Sequence, residues 1–486
     1  MNITIVDCYT DEPAGLGVPP YLGTYPRYIA GYFSEDDVKY LTIDDLRLWN
    51  KSKGKIAKVK PSQKSDIFSY NLTNNYQDVE NILRNSNKII FVLGVHVPGK
   101  YLSAVPGTFK EIEEFSKNIR GEVIVTGPGL IGSQAMGGKK AQKASKDLIV
   151  DHSLYNFSYE DIVGYSIQGA KILSQIPDIR MIEIETGHGC DIGKCSFCTE
   201  PLKNRLEFRK EEDVIAEVKE FYRLGARYFR IGKQNCFYSV PYAAELLKEI
   251  RESCPQIKVL HIDNVNPVKV VADKDDKTTK AIVKYCTSGN VAAFGVESFD
   301  PVVVRENCLN CGPKSAYDAV KKLNELGSAR GEDGMPRFLP GINIIFGLKG
   351  ETKETHTENM KWLSRIYDEG LMLRRINIRQ VAIFEGTKLY EERSATFKKN
   401  KKYYWKWRDE IRQKIDFPML KRVIPSGTVL KDCYAEIYDG KTTFCRQFGT
   451  YPIIIGVKGR LELKKFYDLR ITGHMLRSVV GEINTQ

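Results

Sequence analysis

Two successive runs of alternating strand and helix signals fill the first 395 residues, and they restrict this chain to an α/β architecture. Up to residue 165, β-branched stretches at 2–8, 38–42, 88–93 and 122–126 are separated by helical polar–apolar stretches such as 107–120. Strands spaced in this way pair in parallel through crossover helices, which predicts a Rossmann-like sheet. From 178 to 395 the alternation repeats in longer units. Its strands are expected at 181–186, 228–231, 259–262, 292–296, 341–346 and 376–383, with helices such as 210–224 and 242–252 between them. Six such units predict a partial (β/α)6 barrel, whose chemistry gathers in the loops at the carboxyl ends of the strands.

The last fifth of the chain changes character. Residues 396–422 are basic and aromatic and read as a connecting helix or hairpin. Residues 423–486 hold short runs at 428–430, 434–438, 443–447, 453–457 and 469–472, broken by glycines, which predict a small antiparallel β-barrel. The expected domains are therefore 1–165, 178–395, a linker at 396–422, and 423–486. Charge follows the same division. From residue 396 on there are 19 Lys and Arg against 9 Asp and Glu, a net of +10 out of the chain's +12. A basic terminal module is an electrostatic footprint for nucleic acid.

Hydrophobic residues make up 42% and charged residues 28%, and no apolar run reaches membrane-spanning length. Residues 1–7 read as a strand and not as a signal peptide, so a cytoplasmic location with reduced thiols is expected. Eleven cysteines in that setting point to metal or redox chemistry. Three of them fall in "GHGCDIGKCSFCTE": Cys190, Cys195 and Cys198, directly after the first strand of the second run. Thiolates suit zinc or iron–sulfur clusters. A structural zinc site closes its tetrahedron with four ligands. Three cysteines on one loop instead leave a fourth corner open to a substrate or cofactor.

This loop resembles the CxxxCxxC signature of the radical S-adenosylmethionine (SAM) superfamily, with Phe197 in the aromatic place before the last cysteine. Its first gap is one residue longer than the usual form. The resemblance runs strand by strand over about 178–395. It implies a 4Fe–4S cluster on Cys190, Cys195 and Cys198, and SAM contacts from Phe197, from Gly232, Lys233 and Gln234 in "YFRIGKQ", and from Asn264 in "HIDNVNP". It also implies contacts from Glu297 and Ser298 in "FGVESFD", Asn343 in "GINIIFGLKGET", and Arg379 and Gln380 in "RINIRQ". The implied activity is reductive cleavage of SAM to a 5′-deoxyadenosyl radical, with an electron donor as partner.

The front zone is similar to the cobalamin-binding domains of some relatives, but its loop Asp7-Cys8-Tyr9-Thr10-Asp11 lacks their histidine. His96 and the "GPGLIG" run at 127–132 read as structural. Cys308 and Cys311 in "ENCLNC" mark a possible second metal site. The C-terminal zone resembles a TRAM-type RNA-binding barrel, which implies RNA contacts from Arg446, Lys458, Arg460, Lys464, Lys465 and Arg477. The resulting expectation is a radical SAM enzyme that modifies RNA, with tRNA as the expected substrate. A methylase or mutase acting on a small molecule, lipid or protein is the alternative, as is a non-enzymatic metal-bearing RNA-binding protein.

Overall fold

The computed structural model describes residues 1–10, 13–53, 58–59, 69–70, 73–94, 104–135, 140–178, 180–392 and 399–485. The chain divides into two compact units. One comprises Met1–Glu185 with Arg209–Phe229, the other Thr186–Phe208 with Arg230–Gln486.

The first unit is built on a five-stranded sheet. Its spatial order is Asp37–Thr42, Asn2–Asp7, Lys88–Val92, Glu122–Thr126, Ile149–Val150, all parallel. Asn2–Asp7 is buried along nearly its whole length, as parallel strands covered on both faces are. Helices Ile43–Ser52 and Phe109–Ser116 each begin with a capping box, Thr42 with Asp45 and Thr108 with Glu111. These side chains satisfy main-chain donors that the first helical turn leaves open. The strand order reverses between Asn2–Asp7 and Lys88–Val92, and the crevice beyond such a switch point is the usual ligand site of an open α/β sheet. Here the chain's own backbone occupies it. Cys8 N–H donates to Val92 O (3.1 Å) and Gly107 N–H to Cys8 O (3.0 Å). A Cβ on Gly94 would lie 2.4 Å from Thr10 O, and one on Gly107 would lie 2.8 Å from Cys8 Cβ. "GPGLIG" forms a single 3-10 turn, Pro128–Ile131, against Leu93. His96 lies outside the described residues.

The same unit contains a buried ionic group. Arg27 Nε donates to Glu217 Oε1 (2.8 Å), and Arg209 pairs with the other oxygen of that carboxylate and with Glu185 O. Tyr159 OH donates to Glu185 Oε1 (2.9 Å). The two arginines hold the Glu217 carboxyl below its ordinary pKa despite its burial.

In the second unit, Asn264–Val265, Asn290–Glu297, Phe338–Phe346 and Arg375–Gln380 form a parallel sheet in chain order. Amphipathic helices Pro313–Gly327 and Lys353–Asp368 cover its outer side. The described part of the linker, 399–422, is helical and not a hairpin. Tyr404–Ile411, a π-turn at Arg412–Asp416 and Phe417–Val423 follow one another without a break. This segment lies along Arg375–Gln380, the last strand of the sheet. Tyr404 OH donates to Ile378 O (3.3 Å), and Arg412 Nη1 to Ile376 O (2.6 Å).

The C-terminal barrel is closed, in the order Val429–Asp439, Thr442–Gln447, Ile455–Lys458, Val479–Ile483, Phe466–His474. Its pairs are antiparallel, except that Ile455–Lys458 meets Val479–Ile483 in parallel. The barrel docks on the amino-terminal end of the parallel strands, away from the mouth. Arg374 donates to Tyr451 O (2.8 Å), and the Arg375 guanidinium lies 3.8 Å from the Tyr451 ring centroid. Lys431 N–H donates to Asp333 O (3.1 Å) in the turn before Phe338–Phe346. Thr450 N–H donates to His261 Nδ1 (3.1 Å), while His261 Nε2 lies 2.9 Å from Ser288 O. No helix among the described residues is long and apolar enough to cross a membrane.

Candidate active site

The cysteine loop is closed at its base by a two-stranded ribbon, with Gly187 opposite Phe208 and His188 opposite Glu207. Gly189 has φ +79°, and a Cβ there would lie 2.3 Å from Arg205 O, so only glycine fits this close crossing. Glu200 reaches back over the loop to accept Gly189 N–H (3.0 Å). Ser196 anchors the middle of the loop. Its N–H donates to Asn307 O (2.9 Å) and its hydroxyl to Asn307 Oδ1 (2.8 Å). Phe197 packs on the cluster Val303, Leu348, Val381 and Leu389.

Cys190, Cys195 and Cys198 are half-buried, whereas seven of the other eight cysteines are buried. Each of the three sulfurs accepts a main-chain N–H. Gly193 donates to Cys190 Sγ (3.4 Å), Glu200 to Cys198 Sγ (3.4 Å), and Asn310 to Cys195. The long first gap thus has a structural use: Gly193, at φ +57°, forms the turn that aims its N–H at the first sulfur. Burial, then the neighbouring Cys198, Glu297 and Cys190, push the Cys195 thiol up to about 12. Burial also raises Cys198. Crowded thiols of this kind ionise when a cation joins them.

Half-buried positions alternate with buried ones on the last strands, which marks the side chains lining the barrel interior. They are polar. Asn343 and Asn377 face each other in register, 3.1 Å apart. With its amide oriented to satisfy both neighbours, Asn377 accepts from Arg379 Nε (2.7 Å) and Nη2 (3.1 Å). Glu297 sits at φ +64° on a bulge at the end of its strand, with Oε2 buried and without a hydrogen-bond partner among the described residues. Burial pushes its carboxyl up to about 8, against the pull of Arg379. Asn310 Oδ1 is likewise buried without a partner. Buried polar atoms left open beside thiols are what a site built for a polar guest shows.

Asn264, Lys233 and Gln380 are half-buried, and Lys233 takes φ +73° in the turn after Tyr228–Gly232. Two expected SAM contacts have structural duties instead. Gln234 is buried, its amide bonded to Thr186 Oγ1 (2.7 Å) and, in the better orientation, to Gly232 O and Phe237 N–H. Ser298 is buried and accepts Asp300 N–H (3.1 Å) in the turn that starts the next helix. Asn377 was not foreseen; its signal is the polar–apolar alternation of "RINIR". No group of three or more His, Cys, Asp or Glu among the described residues is placed to hold a single metal ion. Cys308 is half-buried, and Cys311 is buried with its thiol raised to about 12 by burial, then Glu297 and Cys195. The pair therefore borders the main loop, with no third ligand of a separate site among the described residues.

The sequence model of the radical SAM superfamily matches residues 184–363, which contain this loop and much of the barrel. The chain belongs to the radical SAM superfamily. It is 40% identical to an uncharacterised protein of Methanocaldococcus jannaschii, over 99% of this chain and 92% of that one. A second protein of that organism, provisionally named a methylthiotransferase, is 24% identical over 54% of this chain and 59% of its own length. Among solved structures, the radical SAM methyltransferase TsrM from Kitasatospora setae aligns at 14% identity with a TM-score of 0.49, covering 81% of this chain and 76% of that one. The radical SAM barrel of this chain is that of an enzyme, which sets aside the non-enzymatic reading.

The residues expected to contact RNA fall in three places. Lys458, Arg460, Lys464 and Lys465 are exposed. Arg460 lies over the Tyr438 ring (5.2 Å), Gly459 N–H donates to Lys441 O (2.7 Å), and Lys464 pairs with Ala435. Arg477 sits in the turn after Phe466–His474, at the other end of that strand. Arg446 is a correction: it is 2% exposed and bidentate to Glu436 (2.8 and 2.7 Å), so its charge is spent tying Thr442–Gln447 to Val429–Asp439. Along its strand Arg446 alternates with the inward-facing Thr443 and Cys445 and shares the other side with Phe444.

Proposed function

We propose that this enzyme holds a 4Fe–4S cluster on Cys190, Cys195 and Cys198, binds SAM in the polar lumen, and modifies RNA, with tRNA the expected substrate. The observation that carries this reading is the loop at the mouth, where three half-buried thiols each receive a main-chain N–H. When bound, the cluster supplies the electron that cleaves SAM to methionine and a 5′-deoxyadenosyl radical. The chain's own groups set the conditions. The N–H donors favour the thiolate form of the ligands. Phe197 and its apolar neighbours shut water out on one side. Arg379, fixed by Asn377, offers a guanidinium to a carboxylate. Glu297, its carboxyl pushed up to about 8 by burial, presents an open Oε2 to a polar guest. A reducing electron donor is a required partner.

Anaerobic reconstitution tests the core of this proposal. About four irons per chain are expected, as one cubane cluster requires, together with 5′-deoxyadenosine once SAM and a reductant are added. A chain that takes up one zinc and forms no 5′-deoxyadenosine excludes it. The RNA arm is tested by treating RNA from a deletion strain with the reduced enzyme and comparing nucleosides by mass spectrometry. The methylase or mutase alternative draws on one observation, that the C-terminal barrel docks away from the mouth. Undetectable RNA affinity alongside intact SAM cleavage favours that alternative.

A further inference from the structure

Residues 399–408, "KNKKYYWKWR", carry four lysines and one arginine without an acidic side chain. They belong neither to the cysteine loop nor to the C-terminal barrel. The structure places them at the mouth. Asn400 Nδ2 donates to Glu351 O (2.9 Å) and Oε1 (3.1 Å), in the turn after Phe338–Phe346. The Trp407 ring lies 5.3 Å from Phe346, the last residue of that strand. Leu348, in the same turn, packs with Phe197 of the cysteine loop. A single turn therefore separates the basic segment from the cluster ligands.

Helix Tyr404–Ile411 divides its residues by face. Tyr404, Trp407 and Ile411 are buried against the barrel. That packing accounts for Trp407 but not for Trp405, which is 56% exposed. Lys399, Lys402 and Lys406 are exposed around it. Cations and rings interleave here: Arg408 lies 5.3 Å from the Trp405 centroid, and Tyr403 is flanked by Lys402 (5.1 Å) and Lys353 (5.5 Å). Flat rings that stack bases, beside cations that take phosphates, are what looped or single-stranded RNA requires.

We propose that this segment is an RNA contact at the barrel mouth, with Trp405 stacking a base and Lys399, Lys402 and Lys406 taking the flanking phosphates. The inference rests on the RNA reading above and names the surface that brings the RNA to the radical. The C-terminal barrel lies at the other end of the parallel strands. An RNA touching both surfaces spans at least the nine-residue strand Phe338–Phe346, about 30 Å at strand rise.

The test uses the full-length protein, labelled bulk tRNA and a labelled oligouridylate of about ten nucleotides, with dissociation constants measured against salt. Lys402→Glu/Lys406→Glu should weaken both probes by about tenfold or more and lower the salt slope by about 1 to 2. Trp405→Ala should weaken both by about tenfold without changing the slope. Lys402→Arg/Lys406→Arg should bind as the parent does, and circular dichroism checks that all variants are folded. Bulk tRNA should bind more tightly than the oligonucleotide. Parent-like affinity in both loss variants, with binding abolished by Lys458→Glu/Arg460→Glu, overturns this inference and leaves the RNA reading standing. No RNA binding by the parent chain overturns both. Retained RNA binding with lost adhesion to phosphatidylserine vesicles assigns the patch to a membrane and overturns the inference as well.

Discussion

Cys8 and Cys190 occupy equivalent places, each following the first strand of a parallel α/β run, yet their surroundings are opposite. Cys8 is buried, its thiol pushed far up by burial, with Gly107 pressed against it. Cys190 is half-buried on a loop whose glycines hold the backbone open around three sulfurs. The topology offers a crevice in both runs. What decides its use is whether the chain fills it with its own backbone or lines it with polar side chains such as Asn343, Asn377, Arg379 and Glu297.

Substitutions can break that comparison. The largest effect is expected from Cys190→Ala, Cys195→Ala or Cys198→Ala, each of which should reduce iron content and 5′-deoxyadenosine formation to background. Iron retained by any of the three variants would contradict the assignment. Glu217→Ala strands two buried arginines in the closed unit, at a cost of about 3–5 kcal/mol in thermal or denaturant unfolding. Acidification comes next. Burial lowers the His261 pKa to about 4, against about 6.5 in the unfolded chain. Between those values the unfolded state binds a proton that the native state does not, so stability falls as pH drops through that window. The full loss is about 3 kcal/mol, and His261→Gln should flatten the profile. Gly107→Ala drives a methyl group into Cys8 and should cost about 1–3 kcal/mol without altering SAM cleavage. The smallest effect is Cys8→Ala, about 1 kcal/mol in stability with iron content unchanged.

Much of this was legible from periodicity. The strand Val259–Ile262 falls where the β-branched run stands, and the cysteine loop follows its strand as barrel topology requires. Losses came where tertiary packing overrides local pattern. Val429–Asp439 reads as two runs because the charged pair Lys431-Asp432 interrupts it. In the fold, Asp432 takes φ +52° and the strand continues through an irregular register. Val479–Ile483 is too mixed in polarity to register as a strand until its parallel partner is known. Arg446 looks like surface charge because its partner Glu436 is ten residues away. Gln234 and Ser298 sit where site residues belong, but their bonds to nearby main chain turn them inward.

The linker helix along Arg375–Gln380 has one more consequence. A sheet that stops at an outermost strand presents a ladder of carbonyls and amides on which another polypeptide can polymerise. Tyr404 and Arg412 cap two rungs of that ladder from within the molecule. Stripping this segment away would bare those carbonyls, so the stretch that carries Trp405 also guards a sheet edge against a stray strand.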